Sequence, residues 1–411
     1  MRVLARAPWW VQVLLVYGAA RLVSAVVFLA VARTQEANLW TPAAPSYPEY
    51  TGRMWDADWY RGIAEDGYPA GLPRNADGSV PQNAWAFFPL FPALVRLLTT
   101  AGIPWQVAGP TLALLLGAVA MLVVHRVVEA AVGLYGAAAP ADPATDSPLD
   151  AGSAWAARLP LATVAVLATF ASAPVLQVAY TESLALLLLA ATLWCLLQRW
   201  YLPAIPLVLA LGLTRAVALP VAVAVVAHAV GLRRRPADDA PQDRAGWRIL
   251  LLLGASIVAG LLWPLLVAAR TGELRAYQLT QGAWRGRGEV VPVVPWIDVA
   301  RWLFGPPGLL VLAVLIVAAV LVVVATRRLG PELQWWTAGY LGYLFVAVEP
   351  GTSLVRFGLL AFPIAAVVAR WALRRRWWRA ALTGVLVLGV AGQIGWVGLL
   401  WRLVPPSGWP P

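Results

Sequence analysis

Residues 9–32 read WWVQVLLVYGAARLVSAVVFLAVA. As a helix rising 1.5 Å per residue, a run of this length crosses a hydrocarbon core roughly 30 Å thick. It resembles a signal peptide, with an Ala-Val-Ala at Ala30–Ala32. Its apolar run is nevertheless longer than a typical h-region of about 7–15 residues, so it reads as a retained helix. Apolar stretches of about 15–25 residues recur almost to the end of the chain. Of the 411 residues, 61% are hydrophobic and only 12% charged, about half the charge fraction of a soluble domain. The fold class expected is an all-α polytopic membrane protein.

The formal net charge is +11, and every basic residue is Arg. Exclusive Arg with abundant Ala, Gly, Pro and Trp suggests a GC-rich bacterial genome, hence a bacterial plasma membrane as the location. The basic residues cluster beside apolar runs, so they read as topology determinants and not as contacts to nucleic acid. Arg233–Arg235, Arg327–Arg328 and Arg374–Arg376 with Arg379 belong on the cytoplasmic side, together with Arg2 and Arg6. About 11 crossings satisfy this: 9–32, 106–128, 155–173, 183–198, 202–214, 216–232, 248–269, 308–327, 333–348, 357–373 and 380–401. The N-terminus is then cytoplasmic. The parity holds only if the Pro-interrupted stretch Phe87–Thr100 lies in the outer interface or dips into it. The segment 134–154, rich in Ala, Pro and Asp, reads as a flexible cytoplasmic linker. No internal repeat is visible. The single cysteine, Cys195, falls inside an apolar helix, which excludes a disulfide and a thiolate metal site.

This topology gathers the polar residues of apolar context on the extracytoplasmic face: the first loop 33–105, residues 177–183, the turn at Thr214–Arg215, the loop 270–307 and Glu349–Arg356. The first loop holds RMWDADWYRGIAEDGY at 53–68. Carboxylates beside a membrane carry a desolvation penalty unless something pairs with them. Asp56 and Asp58 therefore have two readings. One is a catalytic general base, with Trp55, Trp59 and Tyr60 as a wall for a sugar. The other is an aromatic interface belt with Asp capping a short amphipathic helix. Glu65 and Asp66 read as the solvated face of that helix. Arg356, where an outer loop enters a helix, is suited to gripping a phosphate through two parallel hydrogen bonds, or to snorkelling. Arg215 sits deeper, at a break between apolar segments, with Glu182 as its salt-bridge partner or as a substrate contact beside Tyr180 and Thr181. Arg285 and Arg287 read as a solvated loop or a recruiter of anionic lipid. His125 and His228 fall at cytoplasmic helix ends, so a His-based metal site or triad on the outer face is not expected. A carboxylate-bound divalent cation remains open. No Gly-rich phosphate loop is present, which directs attention to a donor already in the bilayer: a polyprenyl phosphate carrying a sugar.

Five motifs, in order over about three quarters of the chain, resemble those of PIG-V-type mannosyltransferases: WDADWYRGIAEDGYP (55–69), AFFPLFPALVRLL (86–98), AYTESL (179–184), LTR (213–215) and RFGLLAFP (356–363). The resemblance implies one transmembrane domain over residues 1–411 with the GT-C glycosyltransferase fold, and interfacial helices in the first loop 33–105. It also implies transfer of mannose, with inversion, from polyprenyl-phosphate-mannose to a lipid-linked glycan acceptor among the membrane lipids. Asp56 matches the family's key acid, and Asp58 a variable position, making it the secondary candidate. After LTR the chain has Ala-Val-Ala where the family often has a small polar residue and Gly, a departure bearing on acceptor contacts. On this reading Asp56 is the general base. Arg356 and Arg215 bind the donor phosphate, and Trp55, Trp59, Tyr60, Tyr180 and Glu182 shape the substrate site. Three rivals stay open: another polyprenyl-phosphate sugar (glucose or a pentose), a transporter or flippase, whose ionisable residues would sit near mid-membrane, and a non-catalytic membrane scaffold that binds an enzyme partner.

Overall fold

A computed structural model describes residues 7–135, 151–233, 246–286 and 291–404. Arg2, Arg6, Arg234, Arg235, Arg287 and most of the linker 134–154 lie outside the described residues. Among the described residues the regular elements are helices. In chain order the helices are α1 (Trp9–Ala32), α2 (Tyr47–Gly52), α3 (Asp56–Asp66), α4 (Leu90–Thr100), α5 (Trp105–Tyr135), α6 (Ala151–Ala168), α7 (Glu182–Leu197), α8 (Tyr201–Gly212) and α9 (Leu219–Arg233). There follow α10 (Gly246–Thr271), α11 (Ala276–Arg285), α12 (Val294–Phe304), α13 (Gly308–Thr326), α14 (Pro331–Ala347), α15 (Leu354–Phe357), α16 (Pro363–Leu373) and α17 (Trp378–Gly395). A π-helical turn, Trp396–Trp401, extends α17.

Among the described residues, five helices are long and apolar enough to cross a membrane: α1, α5, α10, α13 with its extension to Leu329, and α17 with its π turn. The chain is an α-helical membrane protein. A sixth span exists if α15 and α16, bent by 72° where Leu354–Ala361 meets Pro363–Leu373, are one crossing. The other predicted crossings form shorter helices. α8, at 12 residues, rises only about 18 Å, well short of the hydrocarbon core. The doubtful stretch Phe87–Thr100 forms α4, an 11-residue helix too short to span and packed against α3 and α5.

α7 sits at the centre. Its residues are apolar on every side, the pattern of a helix with no water-facing stripe, and nearly all of them are buried. It packs chiefly on α5 and α8. Small residues let backbones approach where aliphatic burial alone gives little drive between helices in lipid. Gly212 of α8 lies against the Ala259 backbone of α10, and a Cβ there would collide with that carbonyl. In α1 one charge is buried. The Arg21 guanidinium donates to the Ala168 carbonyl at 2.6 Å and to that of Ala173, so it closes the C-terminal end of α6.

Candidate active site

α3 starts at an unusual backbone. Trp55 has φ of +59°, a strained value for a residue with a side chain. Tertiary contacts hold it there: its indole N–H donates to the Trp401 carbonyl at 2.7 Å, and its ring packs on Trp40. The turn makes Asp56 the first helical residue, where a carboxylate interacts favourably with the helix dipole. The Asp56 N–H donates to the Tyr180 hydroxyl at 3.1 Å.

The Asp56 carboxylate accepts from Arg356 Nη1 at 2.7 Å. That same nitrogen lies 3.4 Å from Glu182 Oε1, which also accepts from Arg215 Nη1 at 2.5 Å. Arg215 donates as well to Thr181 Oγ1 at 3.2 Å. Two carboxylates and two guanidiniums from four separate stretches thus form one chain, Asp56–Arg356–Glu182–Arg215. Aromatic faces complete it. Arg356 lies over Tyr180 at 5.0 Å, and Arg215 over Phe357 at 4.8 Å, a cation–π arrangement that strengthens as water is excluded. Tyr60 reaches Thr181 at 3.5 Å. Burial first, and then the Asp56 carboxylate, pushes the phenols of Tyr60 and Tyr180 far above their ordinary values, so both stay neutral hydroxyls.

The cluster is partly unsatisfied: Glu182 Oε2 and Arg356 Nε are buried without a hydrogen-bond partner. Orphan polar atoms of this kind are costly and mark sites poised for a ligand or a proton. Among the described residues no group of three or more His, Cys, Asp or Glu is arranged to hold a metal. A divalent cation between Asp56 and Glu182 would have to displace the shared Arg356.

Of the residues singled out in the sequence, Asp56, Tyr60, Tyr180, Glu182, Arg215 and Arg356 meet here. Asp58 does not join them. It pairs with Arg61 at 2.8 Å on its own helix, with both side chains about 30% exposed. Trp55 is consumed by packing, and Trp59 stacks on Phe87 with Trp284 at its edge. Arg61 also pairs with Glu65, on the solvated face as expected. Arg285 donates to the Ala347 carbonyl and so caps α14. His228 pairs with Glu332 at 2.7 Å at the far end of α9 from Arg215, and His125 stacks on Trp9. Sequence reading missed Phe357 and Trp401. The first faces Arg215 and Arg356, and the second has its ring 5.5 Å from Tyr180. Phe357 stood inside a quoted motif; Trp401, in an apolar run, carried no local signal. No family model matches the chain, and no curated protein matches it significantly.

Proposed function

We propose that the Asp56–Arg356–Glu182–Arg215 cluster is the centre of an inverting glycosyltransferase of the GT-C fold, PIG-V-like, moving mannose from polyprenyl-phosphate-mannose to a lipid-linked glycan. The cluster faces the extracytoplasmic side of a bacterial plasma membrane, in a topology of about 11 crossings with the N-terminus in the cytoplasm. The observation that carries the reading is the 2.7 Å contact between Asp56 and Arg356. An acid and a phosphate-gripping cation, far apart in sequence, meet beside aromatic faces. The ordered motifs at 55–69, 179–184, 213–215 and 356–363 support it independently.

In the proposed step the donor phosphate competes for Arg356 and draws that guanidinium from Asp56. The freed carboxylate takes the proton of the acceptor hydroxyl as its oxygen bonds to the anomeric carbon. The bond from that carbon to the phosphate oxygen breaks on the opposite face. Its electron pair leaves with polyprenyl phosphate, and Arg356 and Arg215 offset the growing negative charge in a site shielded from water. Glu182 acts as the anchor holding both cations in register.

The test is incubation of the purified protein with radiolabelled polyprenyl-phosphate-mannose and a membrane lipid extract, with Asp56→Asn as control. Label should pass to a lipid-linked product in the wild type and stay on the donor in the variant. Wild-type turnover by a well-folded Asp56→Asn protein, or no transfer from any polyprenyl-phosphate sugar, overturns the reading. A purely structural tie is the second reading, favoured by the equal number of acids and arginines in the cluster. It predicts that Asp56→Asn lowers thermal stability along with any activity, whereas a general base predicts loss of turnover alone.

A further inference from the structure

At the opposite end of α13, α14 and α16 from the Asp56 cluster lies a cavity of about 530 Å³, within the usual range of ligand pockets. Five arginines line it: Arg327 and Arg328 in the turn that follows α13, Arg370 in the last turn of α16, and Arg374 and Arg375 just beyond it. No carboxylate does. Among the described residues, Arg327 and Arg328 pair with no acid. Aromatic faces brace two of the other guanidiniums, Arg370 over Trp155 at 5.1 Å and Arg375 over Trp371 at 4.8 Å. Like charges gathered in one cavity repel, and an anion relieves that repulsion.

The rest of the lining is apolar, including Leu321 and Val324 of α13 and Val367 of α16. α13 is the least buried of the apolar spans, with most of its residues facing outward. The arginines therefore adjoin, along α13, an exposed apolar surface suited to acyl chains. A ligand matching both features has a phosphate head and a hydrocarbon tail, and basic pockets between helix ends are the sites where such head groups collect. We infer that this cavity binds the head group of an anionic phospholipid, in the leaflet opposite the Asp56 cluster. The arginines act here as a built site and not only as topology determinants. The inference stands apart from the proposed transfer reaction, and its test requires no turnover.

The full-length protein, stripped of lipid in detergent, is titrated with phosphatidylglycerol, with phosphatidylcholine of the same chains and with inorganic phosphate. Bound lipid is counted by native mass spectrometry. Phosphatidylglycerol should bind and raise the unfolding temperature, while the other two should do neither. Arg328→Gln and Arg374→Gln should each weaken binding about fivefold. Equal binding of phosphatidylcholine overturns the proposal, as does wild-type affinity in a monodisperse double variant. Saturation by inorganic phosphate that blocks the lipid assigns the site to a free anion and overturns the lipid occupant. If the double variant does not fold, the head-group comparison on the wild type decides.

Discussion

Asp56 and Glu182 carry the same charge and share one guanidinium, yet their surroundings divide the work between them. The Glu182 side chain is 1% exposed and pinned between two arginines, whereas that of Asp56 is 18% exposed at the edge of the cluster. The accessible acid suits proton transfer, and the enclosed one suits positioning. Asp56→Asn, isosteric and uncharged, should lower turnover by about 10²–10⁴-fold, with a thermal unfolding curve near that of the wild type. Asp58→Asn should change turnover by less than about twofold, because its partly exposed pair with Arg61 lies outside the cluster and contributes only ~0–1 kcal/mol. Rates for the two variants measured side by side separate the two aspartates. Glu182→Gln leaves the buried Arg215 without its acid and Arg356 with Asp56 alone. It should destabilise by about 3–5 kcal/mol, read from denaturant unfolding in detergent; a small loss would show that the arginines find other partners.

At the scale of elements, the site exists because helices stop early. α8 ends at Gly212 and α9 begins at Leu219, and the break between them presents Arg215. α7 opens with Glu182 in its first turn, the end of a helix that favours a carboxylate. α15 ends just after Arg356. Three helix ends and the start of α3 thus converge. The break before α7 depends in turn on α1, whose Arg21 takes the carbonyls at the end of α6 and in the turn beyond it. Arg21→Met keeps the side-chain bulk but orphans both carbonyls. Each buried unsatisfied group costs about 1–3 kcal/mol, so the unfolding temperature should fall clearly, and turnover with it. Unchanged stability would mean that water or Gln177 takes over the carbonyls.

At the scale of the whole molecule, the two ends differ in chemistry. One holds the Asp56–Glu182 acids, the aromatic first loop and two enclosed arginines, and the other gathers five arginines, three of them exposed, around a cavity. Arg327–Arg328 and Arg374–Arg376 were expected to share a side, and Arg327, Arg328, Arg374 and Arg375 line one cavity. In the proposed orientation a cysteine at Ala76, exposed in the first loop, should react with a membrane-impermeant maleimide on intact cells. One at Arg376 should react only after lysis. Native Cys195 is buried and should stay silent in both. The reverse pattern would invert the topology and put the Asp56 cluster in the cytoplasm.

The membrane class, the helical content and the identities of the clustered residues were legible in the chain itself. Apolar length and the placement of Arg are local properties that a window of about 20 residues records. So was the separation of Asp56 from Glu65 and Asp66, since a carboxylate within an aromatic run stands out against a solvated helix face. The ranking of Asp56 above Asp58 came from the resemblance alone and not from the residues themselves, because it depends on which side of α3 meets Arg356. The capping role of Arg21 was not legible, since the residue looks the same in sequence whether it snorkels or closes a neighbouring helix. The number of crossings stayed open for a similar reason: short helices pack as well as long ones once their ends are satisfied by partners elsewhere in the chain. Local composition determined which residues had to be buried or paired. Only the packing of distant helix ends decided which of them found one another, because a charge in a shielded interior is stable only where its counter-charge is brought to it.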